Sequence, residues 1–565
     1  MVATVALLVS ERLPPAATML GAVTILLAAR VIDAGHALSG FSNPAPFTVA
    51  ALMVLAGAAD VTGALDPLTE RAMRGRLARV LVPTAGASAF LNNTPIVAMI
   101  APRVAAFARR AGRPASRYLM PVSFAAILGG IVTLIGTSTT VVVSGLLEAA
   151  GDDPLTFFEI TPLGLPIAAA GLVLLATTAS RLLPARRSPT DALDADAREF
   201  TVEMVVADTL AGRSVAEAGL RNLDGVFLVE VERDGHTMSP VGPDEVLAAD
   251  DRLTFAGNVG RVLDLERIPG LRPVAERHFS PAQGRFFEAV VSPGGALAGR
   301  TLKEIGFRGR YGAAVVAIHR AGERVGTKLG SVPLRPGDVL LLLAQEGFRR
   351  RPHEDFLLVA PIGDRTPLRP AKAWVVFVVG AAFVASAATG VLGLLEASLL
   401  AAVALVVAGV LTPDEARVSV DLDVIVLIGA SFGVGEAIGA SGLASTVADG
   451  ITGTLGSFGD LGLLVGVLVA TAIVTELVTN NAAAVLMFPV ATATASAAGL
   501  NPRPFAIAVA LAASASFLTP VGYQTNTMVY GMGGYRFGDF ARLGAPLTLL
   551  VIAGGTVLIP LIWPL

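Results

Sequence analysis

The sequence predicts a polytopic α-helical membrane protein: two inverted repeats, each with a re-entrant helical hairpin and a broken helix, and a soluble α+β insert between them. Three observations predict it. The first is composition. Of 565 residues, 53% are hydrophobic and only 15% charged, and the mean hydropathy is +0.68, beyond what ordinary soluble domains show. The second is a matched pair of polar knots between apolar arms. Ser88-Ala-Phe-Leu-Asn92-Asn93-Thr94-Pro95 lies 387 positions before Thr475-Glu-Leu-Val-Thr479-Asn480-Asn481-Ala482, so that Ser88 falls on Thr475, Asn93 on Asn480 and Pro102 on Pro489. About 40 residues beyond each knot comes a second polar break, Thr133-Leu-Ile-Gly136-Thr137-Ser138-Thr139 and Thr519-Pro-Val-Gly522-Tyr523-Gln524-Thr525-Asn526. The third is a change of character between about 186 and 370, where charges become frequent and apolar runs shorten to strand length.

Paired breaks carry meaning because backbone at bilayer depth leaves its helix only where it lines a protein cavity or binds something. Breaks at corresponding places in two halves are the sequence pointer to a transporter's midplane site. The competing reading is that Asn and Thr join helices by hydrogen bonds. A net charge of −3 suggests no nucleic-acid partner. Without cysteine the chain has no disulfide, thiolate metal site or cysteine nucleophile. Its five histidines, His36, His236, His278, His319 and His353, lie outside strongly apolar runs, which speaks against a histidine metal centre. No nucleophile–base constellation is visible, so an enzyme is not expected.

In chain order, Met1 to Ser10 is apolar but shorter than the ~20 residues of a span, and no basic region precedes it as in a signal peptide. Spans are expected at about 16–33 and 46–66, followed by a loop with Arg71, Arg74, Arg76 and Arg79. The first hairpin has arms at about 80–91 and 95–108, each too short to cross, and Arg109, Arg110, Arg113 and Arg117 follow. Arginine on both flanks puts both its ends in the cytoplasm. A broken helix is expected at about 117–148, interrupted at Gly136, and a span at 160–183 that ends among Arg181, Arg186 and Arg187. Beyond the insert come spans at 373–391, 393–411 and 421–441, a second hairpin at 460–478 and 482–498, a second broken helix at 503–532 interrupted at Gly522, and a last span at 543–563. The second hairpin meets no basic residue until Arg503 and should open outward, opposite to the first.

The insert reads as a tandem repeat. Leu210-Ala-Gly212-Arg213 returns 87 residues later as Leu297-Ala-Gly299-Arg300, Gly225 as Gly312 and Asp251 as Asp338. Short runs between Gly, Pro and Asp turns suggest small α+β modules, cytoplasmic by the arginine pattern. The domains expected are 1–185, 186–280, 281–370 and 371–565.

An unwound tip facing a helix break offers carbonyl and Asn, Ser or Thr oxygens to a hard cation such as sodium, and free N–H groups to an anion. Neither knot contains Lys or Arg, so a bound cation would supply the positive charge an anion needs. Glu476 lies one turn before Asn480, and a carboxylate there is costly enough to suggest either a place near the site or a capping bond. Asp60 and Glu436 read as helix-packing or scaffold groups.

At Ser88 to Pro95, Thr475 to Asn481, and Phe517-Leu-Thr-Pro-Val-Gly-Tyr-Gln-Thr-Asn526, the chain resembles the divalent anion:sodium symporter family of the ion transporter superfamily, over essentially its whole length. It is most similar to the permeases with two RCK-C (TrkA C-terminal) domains inserted mid-chain. The resemblance implies a homodimer, an elevator motion of the hairpin-bearing part against a scaffold, and RCK-C modules that dimerise or bind a small regulatory ligand. It implies one sodium site at Ser88, Asn92, Asn93 and Gly136, a second at Thr475, Thr479, Asn480 and Gly522, and an anion between Asn93, Thr94, Ser138, Asn480, Asn481 and Gln524. Dicarboxylate members carry Ser-Asn-Thr tips and Pro-Pro-Asn breaks. Here the tips read Asn92-Asn93-Thr94 and Thr479-Asn480-Asn481, and the breaks read Ser138-Thr139-Thr140 and Gln524-Thr525-Asn526. Algal relatives with the paired insert are linked to sulfate, so the expected substrate is sulfate or a similar oxyanion. The alternatives are a dicarboxylate symporter, a proton-coupled oxyanion carrier and a ligand-gated channel; the potassium-filter motif Thr-Val-Gly-Tyr-Gly is absent from the sequence.

Overall fold

Capping residues and prolines decide where the apolar runs turn. Asn43 accepts a hydrogen bond from Ala45 N (2.9 Å), donates one to Gly145 O (3.0 Å), and precedes Pro44, so one long apolar stretch becomes two helices, Ala34–Ser42 and Pro44–Thr62. The computed structural model describes 4, 7–8, 13–64, 78–110, 113–186 and 369–565 outside the insert. Within the insert it describes 199–220, 223, 226–233, 236–239, 241–258, 268, 270–273, 285–292, 296–320, 323–325, 329–344 and 355–361. Arg71, Arg74, Arg76, Arg187, Gly225, His278, His353 and most of the first twelve residues lie outside the described residues. The chain divides into a helical unit, Met1–Arg186 with Thr366–Leu565, and the insert, Arg187–Arg365.

The first half of the helical unit contains α1 (Pro15–Ala28), α2 (Ala34–Ser42), α3 (Pro44–Thr62), α4 (Ala78–Ser88), α5 (Asn93–Arg110), α6 (Leu119–Gly130), α7 (Ser138–Ala149) and α8 (Thr161–Leu182). Six helical stretches among the described residues are long and apolar enough to cross a membrane: Ala34–Thr62, Thr161–Leu182, Pro370–Thr389, Leu422–Ala440, Leu443–Leu477 and Phe537–Ile562. The span expected at 16–33 stops at Ala28, because Arg30 adopts φ 58° and Asp33 starts a new helix by accepting from His36 N (2.9 Å).

The insert holds two five-stranded antiparallel sheets. The first is built from β1 (Glu199–Val206), β2 (Val226–Arg233), β3 (His236–Met238), β4 (Arg252–Asn258) and β5 (Leu271–Pro273), in the order β3-β2-β4-β1-β5. Two short helices in the second module, α9 (Leu302–Ile305) and α10 (Phe307–Tyr311), lie between its strands in sequence. Its sheet uses β6 (Arg285–Val291), β7 (Ala313–Arg320), β8 (Glu323–Arg324), β9 (Val339–Ala344) and β10 (Phe356–Pro361), in the order β10-β6-β9-β7-β8. The same details recur 87 residues apart. Arg233 grips buried Asp251 with two bonds (2.8 and 2.7 Å) and donates to Val246 O, while Arg320 grips Asp338 (2.8 and 2.7 Å) and donates to Pro333 O. Register shifts fall between Leu228 and Glu230 and between Val315 and Ala317. Gly212 N donates to Leu247 O and Gly299 N to Leu334 O, with both glycines at positive φ (84° and 79°), where a side chain would be strained.

The chain then continues through α11 (Ala373–Thr389), α12 (Leu394–Val407), α13 (Pro413–Ser419), α14 (Leu422–Ala440), α15 (Leu443–Leu455), α16 (Gly459–Leu477), α17 (Asn480–Ala497), α18 (Pro502–Ser514), α19 (Gln524–Met532) and α20 (Phe537–Ile562). Helices α13 and α15 were not expected. Thr412 and Glu415 form a capping box that starts α13, and Gly442, at φ 74°, turns the chain from α14 into α15. Glu436 lies on an exposed face of α14. Each hairpin, α4–α5 and α16–α17, packs on the leading segment of its own half's broken helix, α6 or α18. Each trailing segment crosses over: α7 packs on α17, and α19 packs on α5. Helices α8 and α20 pack together. At ~1.5 Å per residue, the 11-residue α4 spans ~16 Å, about half a hydrocarbon core.

Candidate functional site

The crossover brings four helix N-termini together. Helices α5 and α17 start at the hairpin tips, at Asn93 and Asn480; α7 and α19 start after the breaks, at Ser138 and Gln524. Hydrogen bonds tie these ends across the halves. Ser138 Oγ donates to Asn481 Oδ1 (3.0 Å), as does Thr139 Oγ1 (3.3 Å), and Asn480 Nδ2 donates to Thr139 Oγ1 (2.8 Å). On the other diagonal, Thr94 Oγ1 donates to Gln524 Oε1 (3.3 Å).

Asn93 is fully buried. With its amide turned to suit its partners, it donates to Gly136 O (3.2 Å), Ala126 O (3.0 Å) and Ser88 Oγ (2.5 Å) and accepts from the Tyr523 hydroxyl (2.6 Å). The same hydroxyl lies 3.1 Å from Thr137 Oγ1. One phenol of the second break therefore joins the first tip to the first break.

Each break also closes on its own hairpin. A Cβ on Gly136 would lie 2.8 Å from Ser88 O and 2.6 Å from Gly130 O, and one on Gly522 would lie 2.8 Å from Thr475 O. Carbonyls so close to the break require glycine and leave a narrow, oxygen-lined cradle on each side. Asn92 and Thr479, both half-buried, are the last residues before the second arms. Thr479 Oγ1 is buried without a hydrogen-bond partner, a costly arrangement unless another group pairs with it. The structure brings Asn93, Ser138, Asn480 and Asn481 together, with Thr94 and Gln524 at the rim, where Gln524 is exposed.

Glu476 caps the second break. Its carboxylate accepts from Phe517 N (2.8 Å), Leu518 N (2.8 Å), Thr519 N (2.9 Å) and Thr519 Oγ1 (2.8 Å). These N–H groups have no helical partner because α18 has ended and α19 has not begun. The corresponding residue of the first hairpin is Ala89, where Thr133 Oγ1 donates to the backbone oxygen. Asn526 and Thr140 play one part in the two halves: Asn526 donates to Ser516 O (3.0 Å) and Thr519 O (3.3 Å), and Thr140 to Leu134 O and Thr137 O (both 2.8 Å).

Sequence reading passed over Tyr523, Thr137 and Thr139. A signal was present, since Tyr523 follows Gly522 as Thr137 follows Gly136; which side chain would cross between halves was not readable from either segment alone.

Long apolar helices and a buried polar junction between two helix breaks define a membrane protein of the transporter class. The sequence matches the profile of the citrate transporter family, CitMHS, over residues 5–500 and 457–564, and the chain belongs to that family. Among relatives, a candidate sulfur deprivation response regulator of Chlamydomonas reinhardtii is 34% identical over 94% of this chain and 95% of its own. An uncharacterized transporter of Synechocystis is 33% identical over 98% and 95%. Sodium/sulfate cotransporter 2 of Chlamydomonas reinhardtii is 26% identical over 94% and 86%.

Proposed function

We propose that the protein is a sodium-coupled symporter for a divalent anion, sulfate or a similar inorganic oxyanion. The observation that carries this reading is the meeting of four helix N-termini at a junction lined by neutral Asn, Ser, Thr and Tyr side chains. Helix N-termini present N–H groups and a partial positive charge to an anion. They do not offset two full negative charges, so cations accompany the substrate. The cradle at Ser88, Asn92, Asn93 and Gly136 and the one at Thr475, Thr479, Asn480 and Gly522 offer the neutral oxygens sodium prefers. The anion binds between Asn93, Thr94, Ser138, Asn480, Asn481 and Gln524. The relative named as a sodium/sulfate cotransporter supports both ion and substrate.

In this reading the two halves are inverted repeats of the divalent anion:sodium symporter type. The hairpins and broken helices form the moving body of an elevator, in a homodimer in the plasma membrane. The insert is a pair of cytoplasmic RCK-C modules, repeated as the Arg233–Asp251 and Arg320–Asp338 clamps repeat, and able to take a small regulatory ligand.

Vesicles containing the purified protein and given an inward sodium gradient should accumulate labelled sulfate. Accumulation indifferent to sodium, or driven equally by a proton gradient, would remove the sodium reading. The family's description as citrate transporters favours a second substrate class, carboxylates; labelled citrate and succinate in the same vesicles decide between the two.

A further inference from the structure

We propose that Tyr523 sets the size of the anion, admitting a compact tetrahedral oxyanion and excluding a longer dicarboxylate. The inference rests on the anion-carrier reading above. In the first half the residue after the break glycine is Thr137; in the second half it is Tyr523. The two meet at 3.1 Å, so a pair that could have been two short hydroxyl side chains is a short one and a ring. The ring is buried, its hydroxyl binds Asn93 of the first tip (2.6 Å), and it is linked to Asn480 of the second tip through Thr137 and Thr139 (3.1, 3.4 and 2.8 Å). The space between the tips is therefore bridged by the phenol with Thr137 and Thr139. A sulfate-like ion, whose oxygens surround one centre, fits beside such a bridge. A dicarboxylate must hold two carboxylates several bonds apart and needs the length that the ring fills.

The test compares sodium-driven uptake of labelled sulfate and labelled succinate in vesicles of full-length wild type, Tyr523→Thr and Tyr523→Phe. Tyr523→Thr, which mirrors the first half, should raise the succinate-to-sulfate ratio about tenfold or more, while Tyr523→Phe, which keeps the ring, should leave it within about twofold. Tyr523→Leu carries the same expectation as Tyr523→Thr in case the smaller residue does not fold, which thermal unfolding reports. Sulfate uptake by the wild type with an unchanged ratio in the Thr and Leu variants overturns this inference alone. An equal rise in Tyr523→Phe also overturns it, since the hydroxyl and not the ring would then be selecting. No uptake of either anion by the wild type overturns the carrier reading and this inference with it.

Discussion

Replacing Glu476 by alanine separates two things a membrane carboxylate can do. In the structure it accepts four hydrogen bonds, three of them from consecutive backbone N–H groups at Phe517, Leu518 and Thr519. Each buried donor left unpaired costs roughly 1–3 kcal/mol. Three such donors total roughly 3–9 kcal/mol, and relaxation of the break brings the expectation to the lower end, about 3 kcal/mol. Glu476→Gln keeps one acceptor oxygen but turns an NH2 group toward donors, so about half of that loss is expected. Thermal unfolding of the purified full-length protein should rank wild type above Glu476→Gln and Glu476→Gln above Glu476→Ala. Sodium-driven uptake measured in parallel should fall in the same order. If Glu476→Ala unfolds together with the wild type while uptake disappears, the carboxylate acts on the transported ions, and the capping argument fails.

Asn93→Ala and Asn480→Ala should each abolish sodium-dependent uptake, because each removes a tip amide assigned both to a sodium site and to the anion; wild-type uptake in both would remove the site assignment. Arg320→Ala leaves Asp338, 1% exposed, without the two hydrogen bonds from its charged partner. A loss of about 2–3 kcal/mol in the insert's stability is expected, read as earlier proteolysis of the insert than of the helical unit. Arg369 holds the Glu415 carboxylate below the usual carboxylate range through bonds of 2.6 and 3.2 Å. A lowered folded-state pKa means stability that is present above the unfolded-state value and is lost as pH falls through the folded one. Glu415→Gln should therefore unfold slightly below the wild type at neutral pH, by no more than about 1 kcal/mol for this partly exposed pair, and the gap should close below about pH 4.

Much of this architecture was legible because breaks in apolar runs are rare and specific. Gly136 and Gly522 marked both interruptions, and Asn93 and Asn480 marked where both second arms begin. Two kinds of information were out of reach. Local caps redirect the chain on the strength of one or two residues, as Asp33, Thr412 and Gly442 do, and an apolarity pattern does not register them. Contacts between halves depend on which trailing segment crosses to which hairpin, so the bridging of Asn93 and Thr137 by Tyr523, 430 and 386 residues away, had no local signature. Glu476 lay between these cases: its cost was visible, but its four partners belong to a segment 41 to 43 residues on.

The crossing of α7 onto α17 and of α19 onto α5 has a mechanical consequence. Either hairpin, if lifted, would drag the far half's trailing helix with it, and that helix is covalently joined to the segment on which the other hairpin rests. The linkage is a closed loop with no free jaw. In the proposed carrier, access to such a junction would change by carrying the whole knot past its surroundings, and any inhibitor that wedged one corner would immobilise all four.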